Sequence, residues 1–173
     1  MAGAGSIDLP SHRDLARRRA GPWVRRAIIT LFAAWAIIVL TGLIGQRPKH
    51  QLATAPAASL DLSSPSRLRG GLYFQTRIIV RTTRQLQNPR LILDKGLLEG
   101  ITINTIEPQA NQELSRRDSL VLTYNQLAAG DKLTVWIEAQ VNPTTVGRRL
   151  QSVALDDGTT QIARITRHTT VFP

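Results

Sequence analysis

The chain has 173 residues, 22 Lys+Arg against 12 Asp+Glu, and a formal charge of +10. That length suits one compact domain with short appendages, and an apolar content of 42% is too high for a wholly disordered chain. Cysteine is absent, which excludes a disulfide scaffold, a thiol enzyme, a zinc ribbon and an iron–sulfur site.

Residues 1–26 form a basic tail carrying Arg13, Arg17, Arg18, Arg19, Arg25 and Arg26 against Asp8 and Asp14. Residues 27–45, AIITLFAAWAIIVLTGLIG, carry no charge. As a helix this stretch spans roughly 28 Å, close to the ~30 Å hydrocarbon core of a bilayer. It predicts a single transmembrane helix. Between it and Ala57 only Arg47 and Lys49 are basic, so the arginine asymmetry places the N-terminus in the cytoplasm and the remainder outside the plasma membrane. The tail arginines suit anionic lipid headgroups. With no aromatic interleaved except Trp23, nucleic acid is not an expected partner.

A cleaved signal peptide is the alternative. Ala53-Thr54-Ala55 and Ala55-Pro56-Ala57 offer small-residue cleavage sites. The apolar core is longer than the about 7–15 residues of a signal, however, and Arg47, Pro48 and Lys49 intervene. Within the helix, Ala27, Thr30, Ala34, Thr41 and Gly45 fall in one sector of about 60°. Such a stripe lets helices approach closely in lipid, so it predicts a packing face for another membrane protein or a second copy.

Residues 46–57, QRPKHQLATAPA, lack a usable apolar period and predict a flexible stalk of at most about 40 Å. From Ala58 the texture becomes that of short strands and turns. Phe74, Ile78 and Val80 alternate with Gln75, Arg77 and Arg81. Ile101 and Ile103 share a face, as do Leu120, Leu122 and Tyr124. Leu133, Val135, Ile137, Ala139 and Val141 alternate cleanly. Asp156-Asp157-Gly158 is a hairpin turn between the run ending at Leu155 and the last run, Thr160 to Phe172. Five to eight strands in this arrangement predict an all-β antiparallel sandwich or barrel over residues 58–173.

The turn Leu127-Ala128-Ala129-Gly130-Asp131, the strand LTVWIEAQV, the run Val153-Ala154-Leu155-Asp156-Asp157-Gly158 and the closing Val171-Phe172-Pro173 together resemble the Ig-like β-sandwich modules of bacterial cell surfaces, of the "conserved repeat" and cell-adhesion-related types. The Asn-x-Gly typical after the long strand is replaced here by Thr82-Thr83-Arg84. The resemblance implies a spacer or interaction platform and no catalytic residue.

The residues themselves offer little chemistry. His12 lies in the tail, His50 in the stalk and His168 on the last strand, alternating with Arg164 and Thr166 as a solvated residue. No Gly-x-Ser-x-Gly elbow, phosphate-cradling loop or zinc spacing occurs. Asp156 and Asp157 are too few for calcium. An enzyme would need a pocket built on Asp94, Asp118 or His168, which their spacing does not suggest. No catalytic residue, metal or cofactor is expected. Arg67, Arg69, Arg77, Arg81, Arg84 and Arg90 form a basic stretch that reads first as a scattered solvated surface and otherwise as able to meet anionic envelope polymers, lipid headgroups or an acidic protein. Trp136 faces outward from its strand, either as a partner anchor or packed on a cross-strand Arg or Thr. With Arg77 and Arg81 it marks a candidate partner surface. The expectation is a single-pass, non-enzymatic extracytoplasmic binding or scaffolding protein beside a membrane partner. The alternative is a secreted structural or adhesive sandwich freed by signal cleavage.

Overall fold

The computed structural model describes residues 21–41, 46–116 and 118–173. The chain divides into two units, Met1–Ile44 and Gly45–Pro173.

The first unit contains one described helix, α1 (Gly21–Leu40). It begins six residues before the expected span and takes in Arg25 and Arg26. Twenty residues span about 30 Å, and no described side chain of the helix is buried. An N-terminal helix this long and apolar suits a membrane anchor or a signal sequence equally.

The second unit is an all-β, Ig-like sandwich. Its strands are β1 (Pro48–Thr54), β2 (Ala58–Pro65), β3 (Arg67–Arg69), β4 (Tyr73–Thr82), β5 (Pro89–Asp94), β6 (Ile101–Glu107), β7 (Gln112–Arg116), β8 (Ser119–Thr123), β9 (Lys132–Val141), β10 (Gly147–Asp157) and β11 (Thr160–Phe172), with one helical turn, α2 (Lys95–Leu98). One sheet runs β1-β2-β4-β9-β6 and the other β3-β11-β10-β5-β8-β7. The described residues form ten strands within 58–173, more than the expected five to eight, with β1 before them. The pairing is antiparallel throughout except for the three-residue β3, which runs parallel to β11. The expected stalk is not a stalk over residues 48–54: β1 pairs with β2 along its whole length, from Pro48↔Pro65 to Thr54↔Ser59.

The long strands alternate as their sequences require. On β9, Val135, Ile137, Ala139 and Val141 are buried, and on β4 so are Phe74, Ile78 and Val80. Two turns depend on glycine. Gly158 (φ +58°) closes the β10–β11 hairpin, and Gly130 (φ +89°) closes the loop in which Asp131 accepts the Ala128 N–H at 2.8 Å. Thr82, standing where the resembled modules have Asn-x-Gly, donates its hydroxyl to the Ala128 carbonyl at 2.5 Å.

The core has two apolar clusters. The larger holds Leu60, Leu62, Ile78, Leu93, Leu155 and Ile165 among others. The smaller joins Leu68, Phe74, Ile101, Ala139, Val141 and Val171. Buried polar residues lie between the two clusters on β4, at Thr76, and on β11, at Arg167 and Thr169, and adjoin the larger cluster on β2, at Ser64, and on β10, at Gln151. All are buried. Arg167 donates to the Ser64 carbonyl and hydroxyl, both at 2.8 Å, to the Pro65 carbonyl at 2.9 Å and to Gln151 Oε1 at 3.2 Å. Thr76 donates to the same Ser64 hydroxyl at 2.8 Å, and Thr169 to the same Gln151 oxygen at 2.7 Å. This layer stitches one sheet to the other.

Candidate interaction surface

The outward face of the β1-β2-β4-β9-β6 sheet carries the residues singled out for a partner. Register sets their order. His50, Ser63, Arg77, Trp136 and Glu107 are successive cross-strand partners. The Arg77 guanidinium lies 5.2 Å from the Trp136 ring centroid, within cation–π range. Trp136 remains 37% exposed. Packing on an arginine holds the indole upright without covering it.

Trp136 borders two depressions. One, of about 940 Å³, runs to the β6–β7 edge and is lined by Thr105, Glu107, Gln109 and Glu113 as well as Ile103 and Leu120. The other, of about 450 Å³, is lined by His50, Ser63, Tyr73, Gln75 and Arg77. Arg77 Nε is buried with no hydrogen-bond partner among the described residues. The two sides differ in charge, with carboxylates on one and a guanidinium and an imidazole on the other.

Arg81 is not part of this contact. Its cross-strand neighbours are Lys132 and Ser59, and Ile79, only 6% exposed, separates it from Arg77. Sharing a strand face places two residues four positions apart roughly 13 Å from each other. Arg77 and Trp136 come together; Arg81 does not join them.

His50 belongs to this face rather than to a stalk. Its Nε2 lies 3.5 Å from Ser63 Oγ and its Nδ1 3.8 Å from Asp61 Oδ1. The order matches a Ser-His-Asp relay, but the separations exceed the about 2.6–3.2 Å over which a general base takes a proton. Sequence reasoning misses this row because it places His50 outside the sandwich. The available signal is the two-residue spacing of Asp61 and Ser63 on β2 opposite a His.

Other candidates are dispersed. Asp94 accepts from Ser152 at 2.8 Å, Asp118 lies 3.9 Å from Lys95, and His168 stands exposed opposite Leu150. The described residues hold no group of three or more His, Asp or Glu arranged for a metal. In α1, Ala27, Thr30 and Ala34 line one shallow depression with Trp23, Arg26 and Leu31. Thr41 returns its hydroxyl to the Ile38 carbonyl at 2.6 Å. Gly45 and Arg13, Arg17, Arg18 and Arg19 lie outside the described residues.

No family model matches the chain, and no curated protein does. Among solved structures it is similar to the CARDB domain of a Pyrococcus furiosus protein, at 11% identity over 71% of this chain and 94% of that one, with a TM-score of 0.44. It is also similar to a non-cellulosomal cohesin from Archaeoglobus fulgidus, at 11% identity over 64% and 88%, with a TM-score of 0.42. BslA, a bacterial hydrophobin, matches at 10% identity over 69% and 98%, with a TM-score of 0.43. These likenesses concern the sandwich layout alone.

Proposed function

We propose that the chain is a membrane-anchored, non-enzymatic binding or scaffolding module, held outside the membrane by α1, whose partner docks on the outward face of the five-stranded sheet. The observation that carries this reading is Trp136. A large aromatic stands exposed at the middle of a sheet face, braced by a cross-strand arginine, with a depression on each side. Interface hot spots favour this pairing of an aromatic with an arginine over a recess. The apolar length of α1 and the arginine asymmetry of the flanks support the anchor and its orientation. The resemblance to bacterial surface modules agrees with a spacer or platform role. The Ala27, Thr30, Ala34 sector of α1 is a second contact, between helices in lipid.

The test is co-purification of the full chain in mild detergent. Trp136→Ala should weaken retention of the partner roughly 30-fold, the effect of losing a hot spot of about 2 kcal/mol. Arg77→Ala should weaken it less, and Ala34→Leu should release only a helix-bound partner. Retention by Trp136→Ala equal to the parent chain would sink the sheet-face reading. A fluorophosphonate probe should leave Ser63 unmodified; its labelling would replace the non-enzymatic reading with a hydrolase.

A further inference from the structure

The chain enters the sandwich near one end, and that end differs chemically from the other. Pro48 opens β1 opposite Pro65, the last residue of β2. Past Pro65 the chain crosses to β3, whose Arg69 lies beside Phe172. The Gly70 N–H donates to the Phe172 carbonyl at 2.8 Å and the Gly71 N–H to the Val141 carbonyl at 2.9 Å. The start of β1, the start of β4, the end of β9 and the end of β11 therefore gather at one end.

Three arginines stand there. Arg67 and Arg69 are the exposed residues of β3, with Leu68 buried between them. Thr170 pairs with Arg67 on one side and with Arg148 on the other, so two exposed guanidinium side chains flank one threonine. Neither Arg67 nor Arg148 meets a carboxylate among the described residues, and the nearby Glu99 is engaged by Arg149 at 4.0 Å. Arg69 donates from Nε to the Pro173 oxygen at 3.1 Å. Around them Leu72, Tyr73, Val146 and Phe172 are each about half exposed or more.

The opposite end, built from residues 83–88 and 125–131, exposes no large apolar side chain among the described residues. Its charges are of both signs, and its aspartates are committed to loops. Asp131 holds the Ala128 N–H and Asp157 the Asn88 N–H at 2.7 Å.

We infer that the Arg67–Arg69–Arg148 end of the sandwich is a docking face for an anionic lipid surface. The Arg67 and Arg148 guanidinium groups would meet headgroup phosphates, and the four apolar side chains would enter the interfacial layer. β1 opens at Pro48, at this same end, three positions after the uncharged run closes at Gly45. The sequence that would anchor the chain thus leads into the arginine-rich end. The inference rests on the anchor in the proposed function and is independent of the Trp136 face.

The chain has no cysteine, so a single introduced thiol is an unambiguous probe site. Val146→Cys marks this end and Ala128→Cys the other. Each full-length variant carries a fluorophore and is reconstituted into vesicles containing headgroup spin-labelled lipid. With phosphatidylglycerol present, the label at 146 should be quenched and the label at 128 should not. Each arginine at an anionic surface is worth roughly a fivefold change in occupancy, so Arg67→Glu with Arg148→Glu should reduce the quenching more than tenfold. Equal quenching at both positions, or quenching at 146 indifferent to the charge reversals, overturns the inference. Flotation with pure phosphatidylcholine vesicles reads the anchor separately. Flotation without selective quenching leaves the anchor and removes the docking face. Flotation only with anionic vesicles leaves the docking face and removes the anchor. Flotation with neither removes both.

Discussion

Arg167 has no carboxylate partner among the described residues and is 7% exposed. Burial lowers its guanidinium to about 10, which still leaves it charged at neutral pH. Its charge is spread over carbonyl, hydroxyl and amide oxygens, of which the Ser64 hydroxyl and Gln151 Oε1 also accept from Thr76 and Thr169. Removing one member of such a layer costs more than the layer contributes net, because the remaining polar groups stay buried. Arg167→Ala should therefore lower the stability of the sandwich by about 3 kcal/mol or more, read from a denaturant midpoint. Arg167→Lys keeps the charge but not the planar fork and should recover part of that loss. Asp156 illustrates the opposite sign. Burial raises its carboxyl above the ordinary range, offset in part by the charges of Arg90 and Arg164. Its Oδ1 is buried without a hydrogen-bond partner among the described residues. A raised carboxyl contributes most when protonated, below about pH 4, and that contribution is lost as pH rises through the folded value. Asp156→Asn should be at least as stable as the parent at neutral pH, with the advantage shrinking as pH falls below about 4. A loss of stability at neutral pH would mean that the two arginines outweigh the burial.

Strands with a covered face announce themselves, whereas of the four described edge strands only β6 does, through Ile101 and Ile103. The alternation of β9 and β4 is readable because each second residue enters the core, and the same alternation sets Trp136 outward. On β11 the same kind of alternation places His168 outward, which puts Arg167 inward; the charge of Arg167 hides that consequence. β2 and β5 carry a usable signal in Ala58, Leu60 and Leu62 and in Leu91 and Leu93. β1, β3 and β7 do not. Each is an edge strand, and in β7 every residue is exposed. An edge with polar side chains, a proline or a lysine resists unwanted pairing, so the features that keep β1 from aggregating also make PKHQLAT read as a linker. Its inward positions are filled by Gln51 and Ala53, which mark no period. The Arg77–Trp136 pair is legible only in part. Outward facing follows from β9 alone, but the partner depends on how β4 and β9 register, which no local pattern encodes.

For the molecule as a whole, that hidden edge strand decides where the folded unit begins. The sandwich unit starts at Gly45, not at Ala58. β1 covers the outer edge of β2, whose Leu60 and Leu62 lie in the main core. A fragment of residues 45–173 keeps that edge paired and should fold alone with a strand-rich circular dichroism spectrum. A fragment of residues 58–173 loses the ladder from Pro48↔Pro65 to Thr54↔Ser59 and leaves β2 as a flat edge with an apolar inner face. Each ladder hydrogen bond is worth about 0.5–1.5 kcal/mol net, so losing several should cost at least about 3 kcal/mol. The bare β2 edge should also pair between molecules and raise aggregation. Denaturant midpoints and light scattering of the two fragments compare the boundaries directly. Equal midpoints would show that residues 48–54 behave as a linker after all. A markedly weaker and stickier 58–173 fragment would mean that the strand next after the apolar helix is also a structural edge of the outer domain, so that trimming the chain to the apparent start of regular alternation removes part of the fold.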